Sequence, residues 1–455
     1  MAMDTKKVAL GTVIDLTISG VGHDGQGVGR WQDTAVFVPG VLPEERVVAR
    51  VRRAAKRHLE AELVGVEEPS ADRQKPPCIL SDSCGGCSLQ HASTAAQLAI
   101  KTEIVRQSLS RLARLDVPVE ETWGCSAGLG YRNRALIPLE RRDDGSLRAG
   151  YYRRGSHKIV NMNRCPVLDP RIDALVAPLK EDLEASGWPV DVNLTGSGGL
   201  RHLGLRVGHH SGEVLITLVS SHRKLPGLDD LAQTWMKRWP SVVGVTLNFQ
   251  PKASNVVMGS DSETVAGRPW LLESFAGVDL QIAPDTFFQV NTAQAERLVE
   301  PLHAFFSAGS SGTVIDAYCG IGTFGLPLAK RGLQVLGLEV HGPAVVQAQA
   351  NAERNGIATA FFEQSDVASV LADRLRMAGS LLVDPPRKGL SPEALEAIQQ
   401  GKPERIAYIS CNPSTLCRDL AELCAEQAYR LESIQPVDFF PQTSHVECLA
   451  LLVRS

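Results

Sequence analysis

No apolar run in the 455 residues approaches the length needed to cross a bilayer. The amino terminus, MAMDTKKVALGTVIDL, sets Asp4 and Asp15 around an apolar stretch too short for a secretory signal, so the expectation is a cytoplasmic protein with no membrane partner. Internal repeats and low-complexity tracts are missing too, and a content of 44% hydrophobic and 22% charged residues gives no sign of disorder. Ten cysteines are too few for a disulfide framework in a cytoplasmic chain of this length, so those that cluster are read as metal or catalytic sites. One core cannot serve so long a chain; two or three domains are expected.

A net charge of -4 does not point to nucleic acid, but the charge is uneven. From Arg46 to His58 there are six Lys/Arg and no acid; from Tyr131 to Arg164 there are nine against three acids, interleaved with Tyr131, Tyr151 and Tyr152. Spaced cations neutralise phosphates and aromatics stack on bases, whereas a charge run by itself is more often a solvated face.

Residues 8 to 66 alternate five short β-type runs with turns, the signature of a small closed barrel, and the glycines of HDGQGVGR read as turn residues. Through GHDGQGVGRW and AVFVPGVLPEERV this stretch resembles the TRAM domain, an OB-like RNA-binding module, with Glu44 departing from a usual glycine. A Pro-rich break, EEPSADRQKPP, follows. Next comes CILSDSCGGCSLQH, whose Cys78, Cys84 and Cys87, joined by Cys165 in NRCPV, form a candidate metal site. Spacing does not separate zinc from iron–sulfur; the Gly85-Gly86 pair leaves N–H groups free to approach cluster sulfides. Residues 94–115 read as an amphipathic helix with Leu98, Ile104, Val105, Leu109 and Leu112 toward a core. Residues 121 to 275 read as an antiparallel α+β region with a hairpin in LGLRVGHHSGEVLITLV. The expected division is 1–67, a barrel; 68–275, a cysteine-bearing α+β domain whose 94–115 helix packs on the next unit; and 276–455, a Rossmann-like α/β domain.

In that last unit TVIDAYCGIGTFGLPLAKRGLQVLGLEV runs strand, glycine loop, helix, strand, with Glu339 closing the second strand. A nicotinamide dehydrogenase satisfies this much equally well. The following strands end in Asp366, Asp384 and Cys411, which puts a row of polar or reactive groups at the carboxyl edge where such sheets bind ligands. After them, DFFPQTSHVECLALLVRS suits a terminal hairpin.

DTFFQVN, DAYCGIGTFGLPLA, DPPRKGL, SCNPSTLCRDL and HVECLALL together resemble the successive motifs of the RNA uracil-5-methyltransferase family, and with the barrel and cysteines its branch acting on 23S ribosomal RNA. Tyr318, Thr323 and Cys448 depart from the family's commoner residues. The resemblance implies S-adenosylmethionine (SAM) as methyl donor, held by Gln289, Tyr318, Thr323, Glu339, Asp366 and Asp384. It also implies Cys411 as the nucleophile adding to uracil C6, Glu447 as the base removing the C5 proton, and a 4Fe–4S cluster on Cys78, Cys84, Cys87 and Cys165. The helix beginning near Ser414 is expected to favour the Cys411 thiolate. The implied partner is unassembled or partly assembled 23S RNA, met by a monomer. Transfer RNA is the alternative substrate, although the family's bacterial tRNA enzymes generally lack both barrel and cysteines. A non-catalytic RNA-binding or ribosome-assembly factor is the alternative of another class, and it needs neither Cys411 nor Glu447.

Overall fold

The computed structural model describes residues 8–193, 198–252, 254, 256–309 and 312–455. Strands Val13–Val21, Gly27–Trp31, Thr34–Val38, Arg46–Ala54 and His58–Glu68 close into a barrel in the spatial order first, second, third, fifth, fourth. Strict alternation puts Ile14, Leu16 and Ile18 of the first strand inside. The glycines of HDGQGVGR do more than turn the chain. Gly25 (φ +80°) lies in the turn, but Gly27 and Gly29 are strand residues at which a Cβ would stand 2.2 Å from Val41 Cγ2 and 2.6 Å from the Thr17 carbonyl oxygen. Glu44 adopts the left-handed φ of +71° that a glycine would take there, a strain of about 1 kcal/mol, and the barrel closes regardless.

Glu45, fully buried, fastens the barrel to the chain that follows. Its carboxylate accepts from Leu42 N (2.8 Å), Ser70 N (3.3 Å) and Arg73 Nη2 (2.7 Å), which holds it below the usual carboxylate range despite burial.

A six-stranded sheet comes next, containing Arg134–Arg141, Leu147–Ala149, Leu200–Val207, Val214–Ser220, Val242–Phe249 and Asp261–Gly267. The expected hairpin is its centre, Leu200–Val207 against Val214–Ser220. The sheet is mixed rather than antiparallel: helix Leu228–Arg238 carries the chain over so that Val242–Phe249 runs parallel to Val214–Ser220. Only a crossover of such length permits a parallel neighbour, and LDDLAQTWMKR was the overlooked signal.

The carboxy-terminal sheet has seven strands in the order Ala360–Gln364, Gln334–Glu339, Thr313–Ala317, Ala378–Val383, Arg405–Ser410, Glu447–Arg454, Tyr429–Val437. Six run in one direction; Glu447–Arg454 is antiparallel to both neighbours, so the expected terminal hairpin completes the sheet.

Helix Thr94–Ser108 is capped by Ser93, whose Oγ accepts from Ala96 N at 3.1 Å, and it runs on as a π turn, Leu109–Ala113. Its Ile100, Ile104, Val105 and Leu109 share one core with Ile315, Leu381, Leu416 and Leu420 of the seven-stranded unit. Leu112 departs from expectation: it is 50% exposed, because the π turn rotates it off the buried stripe.

Candidate active site

The carboxyl edge of the seven-stranded sheet gathers most of the expected residues. Glu339 ends strand Gln334–Glu339, Tyr318 directly follows Thr313–Ala317, Asp384 follows Ala378–Val383, and Cys411 follows Arg405–Ser410. Register adds the last member. Ser410 pairs with Cys448 across antiparallel strands, so Cys411, one residue later, faces Glu447, one residue earlier.

The turn carrying Cys411 is held at several points. Asn412 caps helix Pro413–Leu423 by accepting from Ser414 N (3.1 Å) and donates its side-chain amide to the Arg387 carbonyl (3.1 Å), while Thr415 Oγ1 donates to the same carbonyl (3.3 Å). The thiol is partly buried and is not favoured as thiolate, contrary to expectation. Burial, and after it the carboxylate of Glu447, push it up to about 11, and the Arg387 guanidinium pulls the other way through charge and a hydrogen bond. A helix terminus is worth only about 0.3–1 kcal/mol at such a position, which explains why it does not prevail.

Three carboxyls surround this turn and the glycine loop. Burial lifts Asp384 to about 7; Glu447, 3% exposed, is lifted well above the usual range by burial and then by Asp384, with Arg387 opposing. Buried Gln289 donates to Asp384 Oδ2 at 3.3 Å, so two of the residues expected to hold the methyl donor do meet. Asp316, not singled out from the sequence although DAYCG contains it, is 2% exposed and lifted to about 8 by burial and by Asp384. Its Oδ2 has no hydrogen-bond partner among the described residues. Arg387 of DPPRKGL was also missed; only the fold brings its charge near Cys411, Glu447 and His445.

The glycine loop is shaped to admit a ligand. Tyr318 enters it at φ +67°, its N–H donating to the Leu338 carbonyl at 2.9 Å, and a Cβ on Gly320 would meet nothing within 4 Å. Gly325 instead seats the following helix on Asp316, where a Cβ would lie 2.7 Å from Oδ2. Glu339 is fixed by Gly320 N (3.1 Å) and His341 N (2.8 Å). Thr323 is buried in the loop; Asp366 stands exposed at the start of helix Val367–Leu375 and, after burial, contributes to lifting the Tyr318 phenol to about 12.

The cysteine segment is arranged differently. Among the described residues no group of three or more His, Cys, Asp or Glu side chains is placed to hold a metal ion, so the expected metal centre is not shown. Cys78, Cys84, Cys87 and Cys165 nevertheless line one cavity of about 180 Å³ with Tyr131, Tyr151 and Arg132. Burial pushes Cys87 to about 11 and Cys165 to about 12. The Tyr151 hydroxyl is buried there without a hydrogen-bond partner among the described residues.

The basic runs also read differently in three dimensions. On the barrel, Arg46 pairs with Glu67 (3.0 Å), Arg50 and Arg52 with Glu62, and Arg53 with Glu60 (2.9 Å), all on the adjoining strand. Tyr131 is buried, donating to the Pro441 carbonyl at 3.2 Å, and Tyr151 walls the thiol cavity, so neither is free to stack on a base. Side-chain exposure was not legible from a charge run.

A parallel sheet with one antiparallel strand, a ligand-admitting glycine loop and an acid closing the second strand define a Rossmann-like SAM-dependent methyltransferase. The family profile described as tRNA (Uracil-5-)-methyltransferase matches residues 211–364 and 371–455, and that of the TRAM domain matches residues 7–64. A protein named as an uncharacterised RNA methyltransferase in Parasynechococcus marenigrum is 49% identical over 447 residues, 98% of this chain and 96% of its own. One of the same description in Listeria innocua is 36% identical over 96% of this chain and 97% of its own. The crystal structure of Pyrococcus abyssi tRNA (uracil-54, C5)-methyltransferase with S-adenosyl-L-homocysteine superposes with a TM-score of 0.77 at 29% identity, over 96% of this chain and 99% of that one. The chain belongs to the uracil-5-methyltransferase family of SAM-dependent RNA methyltransferases. A full-length match to a tRNA enzyme leaves ribosomal and transfer RNA unseparated as substrate. Among the described residues no helix is long and apolar enough to cross a membrane.

Proposed function

We propose that the protein methylates C5 of a specific uridine in 23S ribosomal RNA through a covalent intermediate. The observation that carries the covalent chemistry is the register that sets Cys411 opposite Glu447, with Asp384 beside them; the choice of 23S RNA rests on the resemblance of the motifs, barrel and cysteines to that branch of the family. Uracil C5 is a poor nucleophile. The Cys411 thiol loses its proton to solvent and adds to C6 as the thiolate, the C5–C6 double bond is lost, and the resulting enolate attacks the methyl sulfonium through C5, releasing S-adenosylhomocysteine. Glu447 then takes the C5 proton, the double bond re-forms, and the Cys411 sulfur leaves C6. A carboxyl lifted by burial suits the last task, because once ionised it is a stronger base than an exposed glutamate. Gln289, Tyr318, Thr323, Glu339, Asp366 and Asp384 are assigned to the donor pocket.

Transfer RNA is the second reading, favoured by the full-length similarity to the Pyrococcus abyssi enzyme. Mass mapping of 5-methyluridine in 23S and transfer RNA from cells lacking the protein decides: a 5-methyluridine lost from 23S RNA alone supports the first reading, one lost from transfer RNA alone the second. A non-catalytic assembly factor would lose neither.

RNA contact is assigned to the basic barrel strand. Exposed ion pairs are worth about 0–1 kcal/mol, so phosphates can displace Glu60 and Glu62 at little cost. Replacing Arg50, Arg52 and Arg53 together is expected to weaken RNA binding and flatten its log–log salt slope by about 0.7 for each single-strand phosphate no longer neutralised. An unchanged slope would leave these arginines only their glutamate partners.

The thiol cavity is assigned a 4Fe–4S cluster on Cys78, Cys84, Cys87 and Cys165. In support, the thiols are spread around a cavity larger than one ion needs, Arg132 offsets charge at Cys87 and Arg154 at Cys84, and the Tyr151 hydroxyl is left as a free donor. Methyl transfer has no redox step, so the cluster's task is to hold this segment in place. Anaerobically purified protein should be brown, with stoichiometric iron and acid-labile sulfide; stoichiometric zinc without sulfide would overturn the assignment.

A further inference from the structure

Residues 438–446 join the last two strands and lead into Glu447, and groups from distant parts of the chain fasten them. The Asn291 side-chain amide donates to the Phe439 carbonyl (3.2 Å), and Ser88 N and Leu89 N donate to that of Gln442 (3.0 and 2.9 Å). Ser444 N donates to Ser88 Oγ (3.0 Å). Tyr131 Oη donates to the Pro441 carbonyl (3.2 Å), Gln294 Nε2 to that of Asp438 (3.2 Å), and Asp438 N to that of Trp123 (2.9 Å). Helix Thr94–Ser108 supplies further ties. Gln97 Nε2 donates to Gln442 Oε1 (3.1 Å) and Gln97 Oε1 accepts from Gln442 N (2.8 Å). Lys101, 0% exposed, forms an ion pair with buried Asp438 and donates to the Phe440 carbonyl at 3.0 Å.

A buried ion pair is a costly way to fill a core, since apolar side chains of similar volume often hold a fold as well or better. What the pair supplies is direction: Lys101 Nζ reaches one carboxylate and one carbonyl in a segment that otherwise has no regular structure. The same helix and its π turn pack Val105 and Leu109 into the core shared with Leu416 and Leu420, on the helix that begins two residues after Cys411. One element therefore touches the supports of both chemical residues. Lys101 bonds to neither of them directly.

We propose that Lys101 is a positioning residue for Glu447, fixing residues 438–440 from a helix that also underlies the Cys411 turn and so setting the base against the nucleophile. The inference rests on the covalent mechanism above, and it separates two steps. Adduct formation depends on Cys411, whereas adduct breakdown depends on Glu447 lying within reach of the C5 proton. A misplacement of about 1 Å can cost such a step about 10²-fold.

The test is a single-turnover assay with methyl-labelled SAM and RNA carrying the target uridine, following adduct formation and breakdown separately on denaturing gels. Lys101→Met is expected to slow breakdown at least about tenfold while formation changes less than about threefold, so the methylated adduct accumulates. The double variant Lys101→Met, Asp438→Leu removes the buried charge and should recover thermal stability, yet keep the slow breakdown, because the Phe440 carbonyl still lacks its donor. Gln97→Leu, a milder cut on the same helix face, should shift the partition the same way to a smaller extent and serves if Lys101→Met does not fold. Equal slowing of both steps, slowing of neither, or wild-type breakdown in the double variant would overturn the proposal. Absence of any Cys411-dependent adduct in the wild type would instead remove the covalent mechanism, and Lys101's role with it.

Discussion

Cys411→Ala is expected to abolish methyl transfer, by at least about 10⁴-fold, together with every covalent protein–RNA adduct, while leaving SAM binding within about threefold of wild type. The size of the effect follows from the chemistry: without a sulfur on C6 there is no enolate, and no other group at this edge replaces one. The cofactor is spared because the residues assigned to it lie on the glycine loop and neighbouring strand ends, and the Cys411 turn is held by Asn412 and Thr415 rather than by the thiol. The thiol's protonation supplies an independent check. With the group pushed up to about 11, iodoacetamide modification of the Cys411 peptide should rise about tenfold per pH unit from pH 7 to pH 10. Arg387→Ala should slow that modification further at any pH in this range, since the guanidinium favours the ionised sulfur. A plateau below pH 8 would mean that Arg387 outweighs burial and Glu447, and that the nucleophile waits as a thiolate.

The fold was legible where the pattern is local and repeated. Period-two alternation in residues 8 to 66 and the strand–glycine loop–helix run from Thr313 each determine an element without outside help, and the barrel and the seven-stranded sheet follow from them. The parallel strand Val242–Phe249 was missed because its direction depends on where helix Leu228–Arg238 returns the chain, which no short window contains. At the site, the strand-end residues could be read from motif order, but the electrostatics could not. Glu447 lifts the Cys411 thiol, and Asp384 lifts Glu447, only because sheet order brings strand ends 384, 411 and 447 together. The basic strand shows the converse. Six cations without an acid read as a bare positive face, yet the glutamates that meet several of them lie on the next strand, in register.

Glu447→Gln should produce the opposite phenotype to the loss of Cys411: methyl transfer proceeds once, and a methylated covalent protein–RNA complex accumulates on denaturing gels. The substitution keeps the shape of a side chain buried beside Asp384 and Cys411 but removes its basicity. Addition of the thiol and attack by C5 make no demand on that basicity. Removal of the C5 proton does, and until that proton leaves, the C6–S bond cannot break to restore the ring. Turnover is therefore expected to fall about 10²–10⁴-fold, the range of a lost general base, while the first turnover remains close to wild type. The substitution also removes the carboxyl whose ionised form lifts the thiol, so adduct formation in Glu447→Gln should be no slower than in the wild type. A 5-fluorouridine substrate should trap the wild-type enzyme in the equivalent state, because fluorine cannot leave C5 as a cation. Should Glu447→Gln turn over normally, or should neither trap give an adduct that Cys411→Ala removes, the carboxyl facing Cys411 would be no more than a buried acid at a strand end.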